Sequence, residues 1–299
     1  MICAIDVPRR IVLSRKGFDS SAGGCASPIL DGRLISLPIP EHDPDKSHLS
    51  YGGLRKRKGA EIADLVNQLS KGKVQDSHLL HLDPDLRIEL RHEIAANLPL
   101  TFGQSGSSQT ELRNIDVGDL FLFFGWFREA HRYAERYEFR KNSPDVFVIW
   151  GWLQVEERLE IPSDLARAQA VAPHHPHVAN YAERENNCLY VGMKSLSFLK
   201  GFPGAGVFRT YSDRLRLSDD QLHLPPRKRL RTNWRLPVFF KNIRMTRATL
   251  SEWTVDGESI LGRAAYSPGQ EFVFETKGHE IQIAHWLDRI FAEGNCEVK

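Results

Sequence analysis

The chain has no apolar run near the roughly 20 residues needed to cross a bilayer. The longest, around Asp119 to Phe127, is strand-length. The amino terminus, MICAIDVPRR, does not read as an export signal, because Asp6 and Pro8 interrupt the apolar stretch that one requires. A cytoplasmic protein with no membrane partner is the expectation. Cysteine is scarce. Cys3, Cys25, Cys188 and Cys296 lie far apart and form no CxxC or Cys/His cluster, which argues against a disulfide framework and against structural zinc. Also missing are a phosphate-binding GxxxxGK[ST], an HExxH, a dinucleotide fingerprint and a cluster of acids, so no cofactor is expected.

What remains is ordinary globular composition with an uneven charge. The 299 residues are 41% hydrophobic and 26% charged, with a formal net charge of only +2. Yet the stretch Arg227 to Arg247 holds eight Lys/Arg and no acid, including Arg227, Lys228, Arg229 and Arg231, with Trp234 interleaved. A second block, Arg55, Lys56, Arg57 and Lys58, is equally pure. Two such patches fit a polyanionic partner such as DNA better than two solvated loops do.

The apolar pattern gives strands at 10–14, 119–125, 146–156, 188–192 and 271–275, rich in β-branched and aromatic residues. It gives helices at 59–69, 84–97 (Asp83 as cap, Pro84 at the first position), 162–171 (Ser163 as cap) and 280–293. Strands and helices do not alternate, which disfavours a doubly wound parallel sheet. The expected fold is α+β, a single domain over 1–299 with a curved mixed β-sheet or partial barrel, flanking helices and long loops.

Four segments offer chemistry. The first, LSRKGFDSSAGG at 13–24, ends a strand with Arg15 and Lys16, then presents Asp19, Ser20, Ser21 and three glycines. Glycines let backbone amides approach a phosphate or sugar, and Asp19 among donors and cations should be ionised. A polar turn organised by Asp19 is the competing account. The second, LTFGQSGSSQ at 100–109, groups Gln104, Ser105 and Gln109, whose amides could read a base edge; a plain flexible loop is the alternative. In the third, Gly118 to Arg128 and Phe147 to Val155 resemble the small β-barrels of the PUA, ASCH and EVE group, several of which hold modified bases in aromatic pockets. There Trp126, Trp150 and Trp152, with Arg128 nearby, could stack a flipped base or simply fill a core. The fourth, PHHPH at 173–177, contains no recognised ligand spacing, so no metal is expected; His177 could orient a substrate, pass a proton or be structural.

LSRKGFDSSAGG, the following SPILDGRLISLPIP, GDLFLFFGWFR, HPHVANY, NNCLYVG, GAGVF at 204–208 and NWRLPVFF at 233–240 together resemble the nucleotide modification associated domain type three family. The resemblance runs through most of the chain and implies a link to modified bases in phage or host DNA. A narrower resemblance is to anti-phage DNA glycosylases that excise glucosylated hydroxymethylcytosine, although the loop signatures of uracil-DNA and helix-hairpin-helix glycosylases are missing. On that reading Asp19 faces the oxocarbenium-like sugar and activates water. Arg15 and Lys16 hold phosphates, and Lys16 attacks the sugar only if the enzyme is also a lyase. Modified DNA is the partner, gripped by the two basic blocks. A non-catalytic reader of modified DNA feeding an effector is the alternative.

Overall fold

The computed structural model describes residues 7–293 except 45, 46, 48, 56–58, 92–94, 180, 183, 222, 223, 226, 227, 244, 246–249 and 265–270. The strands are β1 (Arg10–Arg15), β2 (Ser27–Leu30), β3 (Arg33–Leu34), β4 (Ile39–Glu41), β5 (Leu79–His81), β6 (Thr101–Gln104) and β7 (Leu120–Tyr133). They continue with β8 (Arg136–Phe139), β9 (Val146–Ile161), β10 (Asn187–Gly192), β11 (Ala205–Val207), β12 (Asn233–Pro237), β13 (Leu250–Asp256), β14 (Ser259–Ala264) and β15 (Glu271–Glu275). The helices are α1 (Tyr51–Arg55), α2 (Ala60–Leu69), α3 (Gly106–Leu112), α4 (Leu165–Val171), α5 (Pro176–Ala179) and α6 (Glu280–Glu293).

Ten strands make one mixed sheet whose main path is β15-β1-β7-β9-β10-β6. β1 runs parallel to β7 and antiparallel to β15, and the long β7 and β9 pair antiparallel. The aromatic run of β7 explains why this sheet is covered on both faces. Phe121 and Phe123 point one way and each packs 5.0 Å from Phe102. Phe124 points the other way, towards Phe147, Trp234 and Phe272. Strands buried on two faces read as continuous apolar runs, and the first ten residues of β9 are all buried. α6 closes one face with Ile283, Trp286, Leu287, Ile290 and Phe291, as its helical spacing requires.

The sheet curls so far that its two end strands meet. Gln104 on β6 donates from Nε2 to Glu271 Oε1 on β15 at 2.7 Å. Their backbones form no ladder among the described residues, so the barrel stays open. The expected α+β architecture with a curved mixed sheet is therefore what the chain adopts. The expected helix at 84–97 does not form as such: Asp85 exchanges backbone hydrogen bonds with Thr101, and the described helical part is a short 3-10 turn at Ile88–Leu90. Tertiary pairing overrides the helix-start signal there. The expected helix at 162–171 begins only at Leu165, with Asp164 in the cap position in place of Ser163.

Gly125 is fixed by close approach, since a Cβ there would lie 2.6 Å from the backbone oxygen of Lys16. Gly125→Ala should therefore cost about 1–3 kcal/mol by overpacking, read from denaturant unfolding. Wild-type stability in that variant would mean β1 can slide away from β7.

Candidate functional site

The loop after β1 folds around Asp19. Its Oδ1 accepts the Ser21 and Ala22 backbone N–H groups and the Ser21 hydroxyl at 2.7–2.8 Å, and its Oδ2 meets Arg15 Nη2 at 2.6 Å. Burial works against the charge, but these donors outweigh it and hold the Asp19 carboxyl below its ordinary value. The expected ionised carboxylate in a glycine-lined cradle is present. Its oxygens, however, are already engaged in holding the turn, which leaves it poorly suited to accept a proton from water. Arg15 continues the array: its guanidinium lies 5.7 Å from the Phe147 ring centre, and Arg231 lies 5.6 Å from the same ring and 4.4 Å from Trp126. Arg15, Asp19, Ser21, Trp126 and Arg231 are thus brought together, with Arg231 already stacked on the Trp126 ring. Ser20 is exposed on the same turn.

Lys16 and Gln104 also meet, through a residue that the sequence did not flag. Glu271 Oε1 accepts from both, at 3.2 Å from Lys16 Nζ and 2.7 Å from Gln104 Nε2. Burial pushes the Glu271 carboxyl up in spite of Lys16. An ammonium held by this buried carboxylate has no lone pair to offer a sugar, so Lys16 is a bridging cation here. Gln109 is buried too and bonds the Tyr190 hydroxyl at 3.0 Å. The base-reading role expected of Gln104 and Gln109 is not open to amides consumed inside the protein. The expected glycine loop is instead β6 followed by α3, with Ser105 half-buried at the junction.

The densest polar cluster lies beside β6 and centres on Asp83. Asp83 Oδ1 accepts the Gly103 N–H at 2.8 Å and sits 3.3 Å from His175 Nε2. Its Oδ2 is 3.6 Å from His177 Nε2 and 3.8 Å from His81 Nε2. The outer nitrogens of two of these rings are anchored: His81 Nδ1 lies 2.9 Å from Glu41 Oε2, and His177 Nδ1 lies 2.7 Å from Asn187 Oδ1. Burial opposes charge throughout. Even so, His175 and His81 hold Asp83 well below the usual carboxylate range, and the hydrogen bond from His81 carries Glu41 down to about 2. Desolvation takes His177 down to about 3, whereas the Asp83 and Glu41 carboxylates raise His81. His81, Asp83 and His177 form a group able to hold a metal ion. The expectation of no metal rested on the 173–177 spacing and on the missing HExxH, Cys/His and acid clusters, all of them local patterns. The other two ligand types come from β5 and the residues after it, some ninety positions upstream in sequence.

Asp83 opens on a crevice of about 20 Å³ lined also by Gly17, Ser36, Arg87 and Trp150. That is room for about one water. Ser36, Arg87 and Trp150 border in addition a cavity of about 100 Å³ that contains Arg33, Arg209, Glu61 and Glu89. Arg33 forks onto Glu61 at its rim, and Arg87 pairs with Glu89. The cleft therefore runs from an acid and a water-sized space, past an indole, to three arginines. Of these groups the sequence had singled out Trp150 and, through the histidine loop, His177. Trp152 is a core residue that donates to the Pro203 carbonyl.

The remaining DNA-contact candidates are scattered. Arg55 is pinned by Asp64 and Asp76. Lys228 is exposed, Arg229 bonds the Leu224 carbonyl, and Arg128 bonds the Arg140 carbonyl beside Phe139. Lys56, Arg57, Lys58 and Arg227, like Cys3 and Cys296, lie outside the described residues. No helix among the described residues is long and apolar enough to cross a membrane.

Fold and cleft together define an α+β protein with a curved mixed sheet and a cleft that holds acidic, basic and aromatic side chains side by side. The chain belongs to the nucleotide modification associated domain 3 family, whose model matches residues 10–275, and so to the context of nucleotide modification. No curated protein and no solved structure matches it.

The depressed Asp19 value has a sign that can be checked. A carboxyl lowered on folding adds stability above its unfolded value and loses it as pH falls through the folded value. Protection of the amides in the loop 17–24, taken against the intrinsic exchange rate at each pH, should therefore be high at neutral pH and fall below about pH 4. Asp19→Ala should give the low protection at every pH, a local loss of about 1–3 kcal/mol. Unchanged exchange in that variant would remove Asp19 from its place as the turn's organiser.

Proposed function

We propose that this protein hydrolyses the N-glycosidic bond of a modified base in DNA, with Asp83 rather than Asp19 as the carboxylate at the sugar. The observation that carries the reading is the pair of adjoining cavities that share Ser36, Arg87 and Trp150 as walls. One is a water-sized crevice beside the Asp83 carboxylate and the other has arginines and glutamates on its walls, in a chain of the nucleotide modification associated family. N-glycosidic hydrolysis needs negative charge under an oxocarbenium-like sugar and an acceptor for the proton of water. Asp83 supplies the charge, being held in its ionised form, and its Oδ2, with no contact shorter than 3.6 Å to the surrounding histidines, is the oxygen left to hold the attacking water. The extruded nucleotide would enter with its phosphates towards Arg33, Arg87 and Arg209 and its base against Trp150. At about 100 Å³ the cavity is smaller than the ~150 Å³ that admits benzene in an engineered core, so a base would enter it only part-way. The glucosyl group of a glucosylated hydroxymethylcytosine would then project outwards, and phage DNA carrying that base is the substrate we favour.

The test is abasic-site formation on such DNA. Asp83→Asn should lower it by about 10²–10⁴-fold, the usual worth of a general base, while DNA affinity stays within a few-fold. Asp19→Asn should retain most activity. Release of base by Asp83→Asn at the wild-type rate would move catalysis elsewhere. Binding of modified DNA by the wild type without any release would make the protein a reader.

A further inference from the structure

The Asp83 cluster carries a second conclusion that does not depend on base excision. The geometry points to a binding site for one zinc-class divalent ion, held by His81 Nε2, Asp83 Oδ2 and His177 Nε2.

These three ligand atoms lie within 4.8 Å of one another. The separations from Asp83 Oδ2, 3.6 Å to His177 and 3.8 Å to His81, are too long for hydrogen bonds. They are close to the edge of about 3.3 Å for a tetrahedron with ligands 2.0–2.1 Å from its centre. Each ligand is also aimed from outside. His81 is held through Nδ1 by the Glu41 carboxylate, an arrangement that turns Nε2 inwards. Asn187 Nδ2 donates to the His177 carbonyl at 2.8 Å, which fixes the amide so that its Oδ1 accepts from His177 Nδ1–H. The lone pair of His177 is thereby left on Nε2, facing Asp83. The third ligand is positioned by the Gly103 N–H on Oδ1.

Two further observations mark a built site. His175 Nε2 is fully buried and faces Asp83 Oδ1 at 3.3 Å, a contact outside good hydrogen-bond geometry that adds a third imidazole to the same carboxylate. Gly103 is a cradle: a Cβ there would lie 2.4 Å from the His177 ring and 2.8 Å from that of His175, so only glycine lets both rings reach Asp83. Two imidazoles and one carboxylate suit zinc and its transition-metal neighbours, and disfavour calcium and magnesium, which prefer all-oxygen shells. Three protein ligands with a water-sized crevice alongside match the open type of site.

The experiment is metal binding by the full chain, stripped with chelator and titrated with zinc by calorimetry and with cobalt(II) by visible absorption. One equivalent should bind, and cobalt(II) should give the intense bands of four-coordination. His81→Ala and His177→Ala should each abolish the bands. Should either variant fail to fold by circular dichroism, Asn187→Ala and Glu41→Gln, which spare the ligands, should weaken binding by about 10–100-fold. Absence of heat and of cobalt bands from the folded wild type would overturn the site, as would unchanged affinity in folded His81→Ala. Abasic-site assays on stripped and loaded protein keep the two ideas apart. Metal bound without base release counts against excision alone, and base release by a protein that binds no metal counts against the site alone.

Discussion

The carboxylate of Glu271 joins the two ends of the sheet, and the rest of the molecule is arranged around that junction. A buried carboxylate without partners would be costly. Its Oε1 is satisfied only if Lys16 just past β1 and Gln104 at the end of β6 both reach it, while its Oε2 makes no hydrogen bond. Since β15 and β6 stand at opposite ends of the strand order, the requirement forces the sheet to curl. Apolar packing fills the curl, with Phe102, Phe121, Phe123 and Tyr190 stacked within it. It does not by itself select the junction, because many curvatures would bury those rings.

The curl also places the polar cluster. β6 must lie beside β10 and near β1 for Gly103 to offer its N–H to Asp83 and leave space for His177. Gly17, at the start of the Asp19 turn, packs against Ser36 and so becomes a wall of the Asp83 crevice. The turn and the cluster thus face one cleft, although their carboxylates have different tasks. Asp19 is saturated with donors and holds a loop. Asp83 is buried, surrounded by imidazoles and keeps one oxygen without a short contact.

An ion held by Asp83 Oδ2 would take that oxygen out of the role of proton acceptor, and what it would supply in exchange is a lowered pKa of bound water at an open three-ligand site. The cation-aromatic array of Arg15, Phe147, Arg231 and Trp126 ties the end of β1 to β7, β9 and the segment before β12, with Arg15 buried and paired to Asp19. Arg55 likewise spends its charge on acids, Asp64 and Asp76. A run of cations in sequence is therefore a weak guide to a charged surface unless the acids that neutralise it are also placed.

Much of the framework was legible in the chain. The period-two and continuous apolar runs located β1, β7, β9, β10 and β15, and the 3.6-residue spacing located α2 and α6, because those patterns are local consequences of burial. The family was legible in the same motifs. Locality also set the errors. Pro84 after Asp83 looks like a helix start until Thr101 pairs with Asp85, and Gln104 and Gln109 look like surface amides until Glu271 and Tyr190 take them. The polar constellation was not legible, since His81 and Asp83 are brought to His177 by strand order, and no spacing rule links them. Sequence alone thus determined which segments must be buried and to which family the chain belongs. The tertiary structure decided which acid and which imidazoles share a site, because that depends on the curvature of the sheet, a property of the whole chain.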